Sequence, residues 1–157
     1  MEMSEGSCRF GLWHVHVYWS GHMLHRVRFS HYPCPGRAPV QFTRFLAGQG
    51  FSLAPYSSVA AMGEGLYPQI YRAVMGIEYG TTASYGAIAA LVGTGPRVVG
   101  QAMARNPTPL AIPCHRIVGK HGLGGFTPSP EIKEALLLME KKQAGKRNGV
   151  RGEQDAE

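Results

Sequence analysis

The apolar pattern of this chain changes period once, and that change limits the fold more than any other feature. Residues 13–19, Trp-His-Val-His-Val-Tyr-Trp, alternate in twos, with Trp13, Val15, Val17 and Trp19 on one face and His14, His16 and Tyr18 on the other. Ser20-Gly21 supplies a turn, and residues 23–29 alternate again, so the pair reads as a β-hairpin. From Leu66 the apolar residues recur at helical spacing instead. A small β-rich unit followed by a mostly helical one is the architecture this implies, an α/β chain.

The punctuation between the periodic stretches gives the organisation. Residues 31–39 are rich in Pro and Gly and read as a loop, and Val40–Ala47 as a short helix. Residues 48–65 have little periodicity and read as a connection between units. Leu66, Ile70, Ala73 and Val74 make one helical stripe, which Gly80 ends. Ser84 can cap a second helix whose buried face is Ile88, Leu91 and Val92, stopped at Gly93. Thr94-Gly95-Pro96 opens a third, with Val98, Val99, Ala102 and Met103 as its apolar positions, ended by Asn106-Pro107. Two short helices across a tight glycine turn match a helix-turn-helix. Leu110–Gly125 reads as loop with brief strands. Ser129-Pro130-Glu131 is a helix start, with Ile132, Leu136 and Met139 facing inward. The expected division is 1–60 for the β-rich unit and its linker, 61–142 for the helical unit, and 143–157 for a polar, mobile tail.

Composition narrows the class. Of 157 residues, 44% are hydrophobic, which rules out global disorder. No apolar run is long enough to span a bilayer, and the first residues lack the basic and apolar regions of a secretory signal, so a cytoplasmic, nucleoid-associated location is expected, with no membrane partner. The net charge of +6 favours a polyanionic partner such as nucleic acid. The three cysteines, Cys8, Cys34 and Cys114, are an odd number, against a fully paired disulfide framework; Cys8 and Cys34 can pair with each other or stay free.

Chemistry concentrates in Ile112-Pro113-Cys114-His115-Arg116. A thiolate is the reactive form of cysteine, and a free thiol near pKa about 8.5 is mostly protonated at neutral pH. A neighbouring imidazole can take the proton, directly or through water, and a carboxylate such as Glu140 can orient that imidazole. A Cys-His pair alone is weak evidence, since free cysteine is more often a small buried hydrophobe.

The longer pattern is more specific. Ser84-Tyr85-Gly86, Pro96-Arg97-Val98-Val99-Gly100-Gln101-Ala102, Asn106-Pro107, Ile112-Pro113-Cys114-His115-Arg116, Lys133, Leu136-Leu137 and Glu140 resemble the O6-alkylguanine-DNA alkyltransferase family (methylated-DNA–protein-cysteine methyltransferases) over about residues 66–141. The resemblance implies a small RNase H-like N-terminal domain and a helix-turn-helix C-terminal domain. It implies a suicidal enzyme that moves an alkyl group from O6 of guanine, or O4 of thymine, in double-stranded DNA to its own cysteine, acting as a monomer without cofactor.

By the same resemblance, Cys114 is the acceptor, His115 its base acting through water, and Glu140 the holder of the imidazole. Asn106 braces the cysteine segment, and Tyr85 lies near the target phosphate and base. Arg97 fills the gap left by an extruded nucleotide, while Gly100, Gln101 and Ala102 belong to the helix that enters the minor groove. Met103, Phe126, Thr127 and Lys133 belong to the base pocket and its loop, with Lys133 supporting the cysteine loop region. Phe126 departs from the tyrosine usual at its position, and Thr127-Pro128-Ser129-Pro130 stands where relatives have a Gly-Gly pair, so a stiffer pocket loop and an altered alkyl preference are expected. An alkyltransferase-like lesion binder without activity and a small-molecule Cys-His hydrolase or transferase are the alternatives. The first type typically lacks the cysteine, and the second does not need a helix-turn-helix. His14, His16, His22, His25 and His31, with Cys8 and Cys34, invite a zinc site, but no tight ligand pair is present and no metal is expected.

Overall fold

A computed structural model describes residues 2–155, with side chains through Lys146. It contains three long antiparallel strands, β1 (Ser4–Phe10), β2 (Trp13–Ser20) and β3 (Met23–Ser30), then α1 (Val40–Leu46) and a short β4 (Ser57–Ser58). Four further helices follow: α2 (Leu66–Met75), α3 (Tyr85–Val92), α4 (Pro96–Ala104) and α5 (Pro130–Asp155). Two short strands, β5 (Ala83–Ser84) and β6 (Ile117–Val118), pair in parallel.

The expected hairpin is β2–β3, with Val15 opposite Phe29 and Val17 opposite Val27. Two features of the sheet lie outside the expectation. β1 adds to the outer side of β2, although Ser-Glu-Gly-Ser-Cys-Arg-Phe has no alternating apolar face. An edge strand buries less and needs less apolar sequence; here the chain at Gly36–Ala38 also bonds to both main-chain groups of Ser7. β4, inside the stretch read as a connection, pairs in parallel with β3 at Met23 and Leu24.

On the edge away from β2, β4 reaches only as far as Leu24, and beyond it the amide of Val27 donates to the carbonyl of Pro107 at 2.9 Å. This bond joins the sheet to the segment that follows α4. A buried bond between the hydroxyls of Ser58 and Thr108 (2.6 Å) makes a second link.

Two apolar cores result. One packs Val15, Val17, Leu24, Val27 and Phe29 of the sheet against Phe42 and Phe45 of α1, and also against Leu110 and the Ile132 and Leu136 face of α5. The sheet therefore borrows part of its cover from beyond residue 60. The other joins Ile70, Tyr71 and Val74 of α2 to Ile88 and Ala89 of α3, Val99 and Ala102 of α4, and Ile112 and Ile117.

The helix boundaries follow local signals. The hydroxyl of Ser84 accepts from the amide of Ala87, α3 ends at a left-handed Gly93, and Pro96 begins α4. Three details correct the sequence reading. α2 closes at Gly76, four residues before Gly80. Leu91 is 76% exposed and Leu66 44% exposed; Ala89 takes the inward place on α3, a helix so apolar that its pattern does not single out one face. The segment 143–155, expected as a polar mobile tail, continues α5 although it carries three glycines; the tail's last two residues lie outside the described residues. Among the described residues no helix is long and apolar enough to cross a membrane.

Candidate active site

Cys114 opens a short 3-10 turn, Cys114–Arg116, that is held at both ends. Upstream, Asn106 donates from Nδ2 to the carbonyl of Ile112 (2.9 Å) and accepts at Oδ1 from the amide of Thr108 (3.0 Å). Downstream, Ile117–Val118 pairs with β5 at the entry to α3. The end of α4 and the start of α3 thus fix the turn between them.

His115 and Arg116 point inward to Glu140 of α5. His115 has no solvent exposure, and neither does Glu140. The Nε2 of His115 lies 2.6 Å from Oε2 of Glu140. Arg116 grips the same carboxylate with two bonds, Nε to Oε1 at 2.7 Å and Nη2 to Oε2 at 3.0 Å, and donates from Nη1 to the carbonyl of Ile77. The amide of Gly80 donates to Oε1 as well. Burial alone raises a carboxyl pKa, but here these hydrogen bonds and the neighbouring charges outweigh it and hold Glu140 down to about 2.

An ionised carboxylate only accepts, so Nε2 of His115 carries the proton and donates. Burial keeps the imidazole pKa below its ordinary value against the pull of Glu140, and the ring is neutral. Its Nδ1 is then a bare acceptor, buried and without a hydrogen-bond partner among the described residues. Next in the chain, the half-buried thiol of Cys114 has its pKa raised by burial, offset in part by Asn106, by the charge of Lys133 and by nearby amides. The pair is therefore a thiol beside an imidazole whose Nδ1 is the nitrogen able to accept a proton.

Cys114 lines a cavity of about 660 Å³. Tyr85 of α3, Gly100 and Met103 of α4, Asn106, and Gly125, Phe126 and Thr127 of the loop before α5 share that lining. Phe126 meets Phe29 of β3 edge to face, with ring centroids 5.7 Å apart. Gly124 has φ +80°, and a Cβ there would come within 3.0 Å of the Tyr85 hydroxyl and 3.4 Å of Lys133 Nζ. The loop can cross Tyr85 this closely only with glycine at that point.

Arg97 and Gln101 are exposed on α4. Two expected positions differ. Ala102 is fully buried and its carbonyl accepts from Tyr71 Oη (2.8 Å), so it faces the core and not an approaching partner. Lys133 is absent from the cavity wall: it is fully buried behind it, where its ammonium donates to the carbonyls of Ile117 and Gly125. Arg116 was not singled out from the sequence for any role. It stands in the Pro-Cys-His-Arg motif, but its role is revealed by its pairing with Glu140 across 24 residues.

All three cysteines are free thiols. Burial lifts Cys8 to about 11 despite a hydrogen bond with Thr43. Of the residues considered for metal, His16 and Cys34 come together with Glu5, their ligand atoms within 4.8 Å of one another. Both ring nitrogens of His16 are occupied, however, Nε2 by the carbonyl of Tyr32 (2.6 Å) and Nδ1 by the guanidinium of Arg28 (3.3 Å).

Residues 66–142 match the family described as 6-O-methylguanine DNA methyltransferase, DNA binding domain. A methylated-DNA–protein-cysteine methyltransferase of Metallosphaera sedula is 44% identical over 72 residues, which cover 46% of this chain and 46% of that relative. The chain thus matches under half the length of such curated relatives. The crystal structure of Mycobacterium tuberculosis O6-methylguanine methyltransferase shares the fold, with a TM-score of 0.76 at 24% identity over 90% of this chain and 94% of that one. A Mycobacterium tuberculosis OGT solved in complex with DNA gives a TM-score of 0.70 at 28% identity, over 83% of this chain and 88% of that one.

Proposed function

We propose that this chain, whose residues 66–142 belong to the DNA-binding domain family of 6-O-methylguanine DNA methyltransferase, repairs duplex DNA by moving an alkyl group from O6 of guanine to Sγ of Cys114. The observation that carries this reading is the buried Nδ1 of His115, left as the accepting nitrogen by the bond of Nε2 to Glu140, beside a cysteine that opens into a cavity large enough for a purine.

The chemistry is a displacement at carbon. The thiol proton passes through a water to Nδ1 of His115, the S–C bond forms, and the C–O6 bond breaks. Guanine leaves and regains a proton, so a thiol and an O6-alkylguanine become a thioether and guanine. Glu140 stabilises the imidazolium formed on the way. The O6 atom lies within the base stack, so the nucleotide has to rotate out to reach Cys114, at a cost of a few kcal/mol. Arg97, exposed on the first turn of α4, fills the space it vacates, and Tyr85 and Met103 contact the extruded base. The thioether is stable, so each chain acts once. O4-alkylthymine presents the same alkyl–oxygen bond and is a second substrate in this reading.

The test is nucleoside analysis of an O6-methylguanine duplex after incubation with increasing protein. The expected result is guanine restored in place, one per chain added, with none from Cys114→Ala. Release of the free modified base, turnover beyond one lesion per chain, or binding without repair would overturn the proposal.

A further inference from the structure

The cavity that holds Cys114 is walled on one side by the N-terminal sheet. Arg26, Val27, Arg28 and Phe29 of β3 all belong to its lining. The bond from Val27 to Pro107 docks this strand against the segment after α4, and the two flanking arginines leave the strand on its outer side, opposite Tyr18 and His16. Arg105, just past the end of α4, shares the same lining.

Among the described residues, Arg26 and Arg105 have no carboxylate within ion-pair distance, and Arg28 has one only at one remove, with Glu5 within 4.8 Å of a ring nitrogen of the His16 that Arg28 bonds. No Asp or Glu contributes to the described lining, and among the described residues none of the three pairs with a carboxylate. Arg105 donates to the hydroxyl of Tyr67 (3.1 Å). Arg28 lies 3.3 Å from Nδ1 of His16, whose Nε2 meets the carbonyl of Tyr32, so its head group is braced by that ring. Arg26 is exposed. Like charges gathered at one cleft raise the local potential and draw in an anion; planar guanidinium groups suit phosphate in particular.

We propose that Arg26 and Arg28 bind backbone phosphates of the DNA strand whose nucleotide enters the cavity, making the N-terminal sheet one wall of the DNA groove. This rests on the reading of Cys114 as acceptor from a base in DNA. Two residues apart on one strand face, the side chains start roughly 6.6 Å from each other, enough to take neighbouring phosphates.

The experiment compares wild type, Arg26→Ala/Arg28→Ala and Arg26→Lys/Arg28→Lys in the full chain. The first measurement is affinity for an undamaged duplex against salt concentration. The slope of log K against log[salt] is expected to become shallower by about 2 in the alanine pair and to keep its wild-type value in the lysine pair. The second measurement is the rate of thioether formation at Cys114 with lesion duplex below saturation, beside the rate with the free base O6-benzylguanine, which has no phosphate. The duplex rate is expected to fall at least tenfold further than the free-base rate. An unchanged salt slope would overturn the inference, and so would equal loss on duplex and free base, which would make the arginines shapers of the pocket. If the alanine pair does not fold, Arg26→Ala alone is read for a slope change of about 1. Failure of wild type to alkylate Cys114 would defeat the functional reading, while the slopes still decide whether β3 meets the backbone.

Discussion

The Nε2 of His115 and the Oε2 of Glu140 lie 2.6 Å apart with neither residue exposed to solvent, and this contact fixes which imidazole nitrogen is left to act as a base. Arg116 closes on the same carboxylate from the other side. The two residues that follow Cys114 in the sequence thus share one acid, contributed by the last helix.

Glu140→Gln removes the charge that compensates Arg116 in a buried site. Breaking one side of a buried pair typically costs about 3–5 kcal/mol. The expected result is a fall of that order in unfolding free energy by urea titration, together with slower transfer. The pH dependence follows from the same group. Its folded pKa of about 2 is below the ordinary 4.5, so its contribution to stability is complete above about pH 5 and is lost as pH falls through 4.5 toward 2. Wild type should lose urea resistance across that window, and Glu140→Gln should lose less.

His115→Ala takes away the proton acceptor. Positioned general bases contribute about 10²–10⁴-fold, so the single-turnover rate at pH 7.5 should fall within that range. In wild type, burial places the imidazole pKa below 6.5, and protonation is what disables it. The transfer rate should therefore hold down to pH 6.5 and decline only below it. A decline centred above pH 7 would contradict this assignment.

Lys133→Met leaves the carbonyls of Ile117 and Gly125 without their donor, a loss of about 1–3 kcal/mol. It also removes a positive charge that favours the Cys114 thiolate. The thiol should titrate at higher pH than in wild type, measured by its ultraviolet absorbance in a Cys8→Ser/Cys34→Ser background.

Gly124→Ala tests the loop over Tyr85. A non-glycine residue at positive φ costs about 1–2 kcal/mol, and the added Cβ has the Tyr85 hydroxyl 3.0 Å away. The expected outcome is a lower Tm and slower reaction with free O6-benzylguanine. Full activity would show that the loop does not depend on this approach.

How much of this was legible depends on range. The β2–β3 hairpin, the cap at Ser84, the turn at Gly93 and the start of α5 are set by neighbouring residues, and period and capping chemistry reveal them. β4 is defined by a partner far along the chain, while β1 joins its neighbour β2 across the two-residue turn Gly11-Leu12 but carries no alternating apolar face. The same division runs through the site. Cys114, His115 and Asn106 stand in a compact motif, whereas Arg26 and Arg28 reach the cavity only through the docking of Val27 on Pro107. Ala102 and Lys133 were assigned by their place in the motif, and packing put the first into the core and the second behind the cavity wall.

The central claim is that Cys114 receives the alkyl group, and peptide mass spectrometry reads this directly. After incubation of the whole chain with excess O6-methylguanine duplex, the account predicts one added methyl group on the peptide that contains Cys114. Cys8 and Cys34 should be unmodified, and Cys114→Ala should gain nothing. An unmodified Cys114 under those conditions, or a methyl group found on either of the other two cysteines, would contradict it.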